Sequence, residues 1–391
     1  MIVANDFIQL CIKNKFTFFS GTPCSYLKPL INEVIDNDLV NYHGAVNEGD
    51  AVAMVCGAYL TGNKGVAIFQ NSGLGNAVNA LTSLSYPFRF PFMMIVTHRG
   101  QPGGPADEPQ HELMGAVTED VLTAMQIKWE HFPDKQKDLE GVFQRANQYM
   151  AKFKLPVALI MRKGGVASQE LKKKKSDTPI GKRTFEFEEN ISLKYSERSS
   201  RFEVLKLLYK YRQSNDVVVA TTGKTGRELY TLEDSEQNLY MVGSMGSASS
   251  FSLGAAICNQ QQRWVTIDGD AAALMRMGNL ASVGAYHPHN FLHIILDNEV
   301  NDSTGGQQTI SDHVSLAAVA QACGYESVFS TDQLNELESI LAGKLIEKGP
   351  VLIHFRLKKG SPRDLGRPKI KPYEVKNRLM QFLKVESSFY T

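Results

Sequence analysis

The sequence predicts an α/β protein made of two doubly wound, mostly parallel sheets. Three observations carry this. Each half of the 391-residue chain alternates short apolar runs with helical patterns. A polar, charge-rich stretch separates the halves. One segment, from Trp264 to Asn298, reads as strand, tight turn, helix and strand, with its polar residues at the strand ends.

The elements follow in order. The N-terminal MIVANDFIQLCIKNKF reads as an amphipathic helix; it lacks the basic region and unbroken apolar run of a signal peptide. Runs at 16–19, 42–46, 66–69, 92–96 and 157–161 predict the strands of a first sheet. Runs at 217–220, 241–242, 265–267, 292–296 and 351–355 predict those of a second. Short buried runs separated by helices indicate parallel strands with crossover helices. The expected division is a domain at 1–165, a charged linker at 166–198 and a domain at 199–391. The lysines at 172–175 read as a solvated part of that linker. A basic, proline-broken tail starts at Gly360, and 373–384 reads as a helix.

Composition narrows the class. Hydrophobic content of 43% and charged content of 21% are ordinary for a soluble globular protein. A net charge of +1 gives no global field toward nucleic acid or membranes. Cys11, Cys24, Cys56, Cys258 and Cys323 are scattered without metal spacing, the usage of a reducing compartment. No apolar run is long enough to span a bilayer. A cytoplasmic protein is expected.

The chemistry concentrates between Ile267 and Gln308. The strand ending at Gly269 turns into a helix whose first N–H groups suit a phosphate. Asp270 and Asn298 fall at the carboxyl ends of two strands, where open α/β sheets bind ligands. A carboxylate and an amide carbonyl are hard oxygen donors for a Mg²⁺ that also holds a phosphate. The segment therefore reads as a Mg²⁺–diphosphate site.

The same residues resemble the thiamine-diphosphate signature, Gly-Asp-Gly followed after a helix by Asn-Asn. The matches are Gly269, Asp270 and Ala271, then Asp297 and Asn298, with Ala271 replacing the second Gly and Asp297 the first Asn. The resemblance implies Asp270, Asn298 and the backbone carbonyl of Val300 as metal ligands. Glu48, in NYHGAVNEGDAVAM, would by itself be an acid favourably placed at a helix N-terminus. Its surroundings resemble the family's Asn-Glu-Gly pattern, which implies a hydrogen bond from Glu48 to the cofactor's aminopyrimidine. In GSMGSASS, the resemblance implies Met245 beneath a bent cofactor and the Gly243 carbonyl accepting from the aminopyrimidine. Thr222 and Gly223 resemble the diphosphate-side loop.

Across nearly the whole chain the resemblance sharpens to the phosphonopyruvate decarboxylase family. It is carried by SGTPCSYLKPLIN, QNSGLGNAVNALTSL, HRGQPGGPADEPQHELMG, NDSTGGQQT and the LGRP tail. The family implies the thiamine-diphosphate-binding fold without a central domain. It implies loss of CO₂ from 3-phosphonopyruvate to give phosphonoacetaldehyde, in phosphonate biosynthesis. At least a homodimer is implied, with the active site between subunits. Such a substrate needs cations and neutral donors beside the cofactor. His111 is the first candidate, since an imidazole can also donate a proton near neutral pH. Arg99, Lys224 and Arg276 are candidate phosphonate partners, with Arg363 and Arg367 in the tail. Asn71, Ser72, Ser303 and Thr304 are candidate neutral donors. Asn301 stands where a His is frequent in the family. His287, His289 and His293 read as structural. Competing readings are a decarboxylase of sulfopyruvate or another small 2-oxo acid, and a non-catalytic thiamine-diphosphate-binding protein.

Overall fold

The computed structural model describes residues 1–173, 189–343 and 348–385. Contacts divide the chain into two compact units, one holding Met1–Pro179 together with Val385–Thr391 and the other Ile180–Lys384.

The first unit is built on a six-stranded parallel sheet. Its strands are β1 (Phe16–Gly21), β2 (Asn41–Gly44), β3 (Lys64–Phe69), β4 (Met93–Thr97), β5 (Lys128–His131) and β6 (Val157–Met161). They lie in the order β2-β1-β3-β4-β6-β5. The central β3, β4 and β6 are buried along their whole length, as befits strands covered on both faces. The edge strands β2 and β5 are half-buried or exposed, and polar KWEH in β5 offers no apolar run to read.

The second unit carries β7 (Glu189–Asn190), β8 (Asp216–Ala220), β9 (Asn238–Tyr240), β10 (Arg263–Gly269), β11 (Phe291–Asp297), a hairpin of β12 (Val300–Asn301) and β13 (Gln307–Gln308), β14 (Ser327–Thr331) and β15 (Val351–Arg356). The main sheet runs β7-β14-β15-β11-β10-β8-β9. β7 comes from within the stretch expected to be linker. The strand expected at 241–242 lies just earlier, at Asn238–Tyr240. Buried Asn238 opens it, its amide bonded to the Tyr240 hydroxyl and the Glu233 carbonyl. Asn is depleted in strands, so the apolar signal pointed to the residues that follow.

Read from the edge, β2-β1-β3-β4-β6-β5 and β9-β8-β10-β11-β15-β14 are the same order. In both sheets the first strand is followed by its neighbour on one side and then by the neighbour on the other. The crevice at the carboxyl ends of β1 and β3, and of β8 and β10, is where such sheets bind ligands.

Of the lysine run, Lys172 and Lys173 donate their backbone N–H groups to Asp36, so this part lies against the first unit. Lys174 and Lys175 lie outside the described residues. No described helix is long and apolar enough to cross a membrane.

Candidate active site

In the first unit, the helix Glu48–Leu60 starts at Glu48 itself, capped by Asn47, whose side chain accepts from Gly49 N–H at 2.8 Å. The helix is buried from Gly49 to Leu60, on every face rather than one. Its first residue brings a carboxylate to the β1/β3 crevice. Thr22, just past β1, donates to Glu48 Oε1 at 2.8 Å, and Asn76 Nδ2 donates to Oε2 at 2.8 Å. Both oxygens are thereby tethered and the plane of the carboxylate is fixed. Gly73, just past β3, supplies the space: a Cβ there would come within 2.6 Å of Glu48 Oε1.

The expected substrate residues of this unit have defined surroundings. Asn71 is fully buried and committed to the fold. Its Nδ2 donates to the Arg99 carbonyl and to Thr118 Oγ1, both at 2.9 Å, and its Oδ1 accepts from Arg99 N–H. Ser72 is exposed and accepts from Gln70 at 2.6 Å. Arg99 stacks on Tyr26 and holds Asp107 in a two-pronged ion pair. That guanidinium, with backbone N–H groups of Gly100 and Glu108, keeps the Asp107 carboxyl well below the usual carboxylate range. His111 is 4% exposed, and its Nδ1 has no hydrogen-bond partner.

In the second unit, β10 and β11 run side by side with Gly269 opposite Leu296, so Asp270 and Asn298 emerge at neighbouring strand ends. Both are buried. They line a cleft open to solvent, together with Thr222, Lys224, Met245, Gly269, Ala271, Val300 and Ser303. Thr309 donates to Asp270 Oδ2 at 2.5 Å. Burial, and then the nearby charge of Asp297, push the Asp270 carboxyl up to about 6. Asp297 faces away into the fold: His354 Nε2 lies at 2.9 Å, Ser311 Oγ donates at 2.8 Å and Glu299 N–H at 3.0 Å. Burial opposes its ionisation, but His354, Ser311 and the charge of Arg356 together outweigh that and the carboxyl is held low. The residue replacing the first Asn of the signature is thus a structural partner of His354.

The donors suit a divalent cation. Asp270 is a buried carboxylate close to the charge of Asp297, and no ion pair to it is formed by Arg201 or Lys224 of the cleft lining. Among the described residues no cluster of three or more His, Cys, Asp or Glu side chains could hold a metal. An ion here would rely on one carboxylate, an amide oxygen, a backbone carbonyl and water or phosphate oxygens, the pattern of Mg²⁺ rather than of Zn²⁺.

The loop carrying Met245 is pinned by Gly246, at positive φ, where a Cβ would meet Arg276 Cγ and the Ala272 carbonyl. Met245 reaches the cleft, whereas Gly243 and Arg276 are not part of its lining. Thr222 lines the cleft, and Gly223 caps the helix Lys224–Leu232. Lys224 has no hydrogen-bond or ion-pair partner among the described residues. Thr304 points into its own loop, donating to the Asn301 carbonyl and to Gln307. His293 is buried 3.1 Å from Asp268, a structural contact.

Sequence reasoning did not single out Thr22, Asn76, Thr309, Arg201 or Asp302. Each is an ordinary polar residue in the sequence and gains its position only from long-range folding.

Comparison with known proteins agrees with this geometry. Residues 1–119 match the model of the thiamine pyrophosphate enzyme N-terminal TPP binding domain, and residues 222–355 that of the C-terminal TPP binding domain. The chain is 43% identical to phosphonopyruvate decarboxylase of Streptomyces hygroscopicus over 382 residues, covering 98% of this chain and 94% of that protein. It is 43% identical to phosphonopyruvate decarboxylase of Streptomyces viridochromogenes over 383 residues, covering 98% and 95%. The crystal structure of benzoylformate decarboxylase from Polynucleobacter necessarius shares the fold, with a TM-score of 0.69 at 13% identity, covering 94% of this chain and all of that one. Matched along almost its entire length, the chain belongs to the phosphonopyruvate decarboxylase family of thiamine pyrophosphate enzymes.

Proposed function

We propose that this protein decarboxylates 3-phosphonopyruvate to phosphonoacetaldehyde and CO₂, using thiamine diphosphate and Mg²⁺. The observation that carries the reading is the pair of crevices on one strand order, each holding the residues that its half of the cofactor requires. Glu48 is fixed by two hydrogen bonds in the first, and Asp270 and Asn298 share a cleft in the second.

Bound at these residues, thiamine diphosphate supplies the electron sink that lets a 2-oxo acid release its carboxylate as CO₂. Glu48 would hold a proton at the ring nitrogen of the aminopyrimidine, and the Gly243 carbonyl would accept from its amino group. Met245 would pack against the cofactor from the wall of the cleft. Asp270, Asn298 and the Val300 carbonyl hold the Mg²⁺. Thr222, Gly223, Gly269 and Ala271 offer backbone and hydroxyl groups to the diphosphate at helix starts.

Of the basic residues, Lys224 is the one we place nearest the anionic groups, since it lines the cleft without a carboxylate partner. Ser303 lines the same cleft as a neutral donor. Buried His111 is placed as the proton donor, and Asn71 acts by holding the main chain of Arg99.

The reading requires at least a homodimer, with the cofactor spanning half-sites from different subunits. Large apolar residues exposed near both half-sites support it: Val46, Val78 and Leu113 in the first unit, and Val242, Met275, Met277 and Ile310 in the second. Free, scattered cysteines support a reducing, cytoplasmic setting.

The test is CO₂ release by the purified protein with Mg²⁺ and thiamine diphosphate on 3-phosphonopyruvate, sulfopyruvate and pyruvate in parallel. A strong preference for 3-phosphonopyruvate, lost without cofactor, is expected. Preference for sulfopyruvate would overturn the substrate assignment while keeping the chemistry. No release from any of the three would overturn the catalytic reading.

A further inference from the structure

We propose that Asp302 is a positioning residue for the metal site: it turns the Asn298 amide so that its oxygen faces the cation, and it ties this orientation to the C-terminal tail. The inference rests on the reading of Asn298 as a Mg²⁺ ligand. The two ends of that amide are chemically distinct, and only the oxygen can coordinate a cation. Asn298 Nδ2 donates to Asp302 Oδ2 at 2.8 Å. The oxygen, Oδ1, has one long contact, from Val300 N–H at 3.4 Å. A carboxylate only accepts, so Asp302 selects the amide's nitrogen end and leaves its oxygen end for the cleft.

Asp302 is itself held firmly. Its Oδ2 also accepts from Arg201 Nη2 at 3.0 Å and from Gly360 N–H at 3.1 Å. Arg201, only 5% exposed, also donates to fully buried Glu228 at 2.8 Å. Glu228 in turn accepts from Ser361 Oγ at 2.6 Å. One guanidinium thus faces two carboxylates and fixes the position of both.

The tail reaches Asn298 by a second path. Lys359 N–H donates to the Tyr195 hydroxyl at 2.9 Å, and that hydroxyl donates to the Asn298 carbonyl at 3.0 Å. Side chain and main chain of one candidate ligand are therefore held by groups anchored on residues 359–361. Anything that loosens the tail loosens the ligand, and by linkage metal binding tightens the tail.

The experiment compares wild type with Asp302→Ala, titrating Mn²⁺ by electron paramagnetic resonance with thiamine diphosphate present. Groups that orient a ligand typically change metal affinity by about 10- to 100-fold, and a loss of that size is expected. Turnover should recover at saturating Mg²⁺, which a general folding defect would not allow. Amide exchange at Gly360, whose N–H donates to Asp302, should slow on metal binding in wild type and not in the variant. If Asp302→Ala does not fold, Asp302→Asn keeps the volume but replaces the charged acceptor, and weaker Mn²⁺ binding is again expected. Unchanged affinity and exchange in a folded variant overturn the positioning role. Absence of Mn²⁺ binding by wild type overturns instead the reading of the site on which it rests.

Discussion

The carboxylate of Glu48 occupies the space that a side chain on residue 73 would need. Gly73 has an ordinary φ of −72°, so the backbone there would accept alanine, and the atoms nearest to a Cβ all belong to the Glu48 side chain. Gly73→Ala should therefore fold, yet push Glu48 off its hydrogen bonds to Thr22 and Asn76. A misplacement of roughly 1 Å in a catalytic group costs about 100-fold. We expect kcat to fall by that order, approaching the loss in Glu48→Gln, with little change in Tm. Steady-state kinetics beside thermal denaturation check this; full activity in Gly73→Ala would mean that the position of Glu48 is not critical.

Asp270→Ala removes the cleft carboxylate whose neighbour Asn298 emerges from the adjoining strand end. Mg²⁺-dependent binding of thiamine diphosphate should weaken by at least about 10-fold. Calorimetric titration of cofactor with and without Mg²⁺ measures it. Equal affinities in variant and wild type would remove Asp270 from the metal site.

His111→Ala should lower kcat/KM for 3-phosphonopyruvate more than for pyruvate. Its buried imidazole carries an unsatisfied Nδ1, a group that a substrate anion or an intervening water can use. A loss of roughly 10-fold or more on the phosphonate substrate is expected for a group active in proton transfer. Proportional losses on both substrates would place His111 outside the anion pocket.

His43 gives a pH dependence of stability rather than activity. It stacks on Phe18, and burial lowers its pKa from the ordinary 6.5 to about 4. The folded state therefore binds the proton less well than the unfolded chain. Above about pH 6.5 the residue is neutral in both states and stability does not depend on it. Between about 6.5 and 4 the unfolded chain takes up a proton that the folded state refuses, and stability falls as pH falls. Tm measured from pH 7.5 to 4.5 should decline, and His43→Gln should flatten that decline. An identical slope in the variant would assign it to other groups.

Much of this was legible in the sequence, for identifiable reasons. The run at 157–161 coincides with β6, because a strand buried on both faces is apolar at every position. β14, with SVFST half-buried over its first three residues, has no such signature. Asp270 and Asn298 were legible because they adjoin their strands and follow a fixed pattern. Arg201 and Asp302 were not: 101 residues separate them, and only the fold joins them. Asp297 was visible as a departure, but its reason, His354 on the neighbouring strand, depends on the pairing of β11 with β15.

The repeated strand order has a consequence for how the protein can be divided. Each sheet has its own interior and its own crevice, so neither borrows strands from the other. A cut at the first crossing, after Pro179, would interrupt no described β-ladder, although the last residues, from Val385, group with the first unit. The two pieces, made as separate polypeptides, would each retain a complete scaffold. The duplicated plan also separates position from chemistry: the same corner of the same sheet holds the tethered Glu48 carboxylate in one unit and the cleft of Asp270 and Asn298 in the other. Recasting such a corner for a new ligand would require changing a few loop residues and leaving the strands alone.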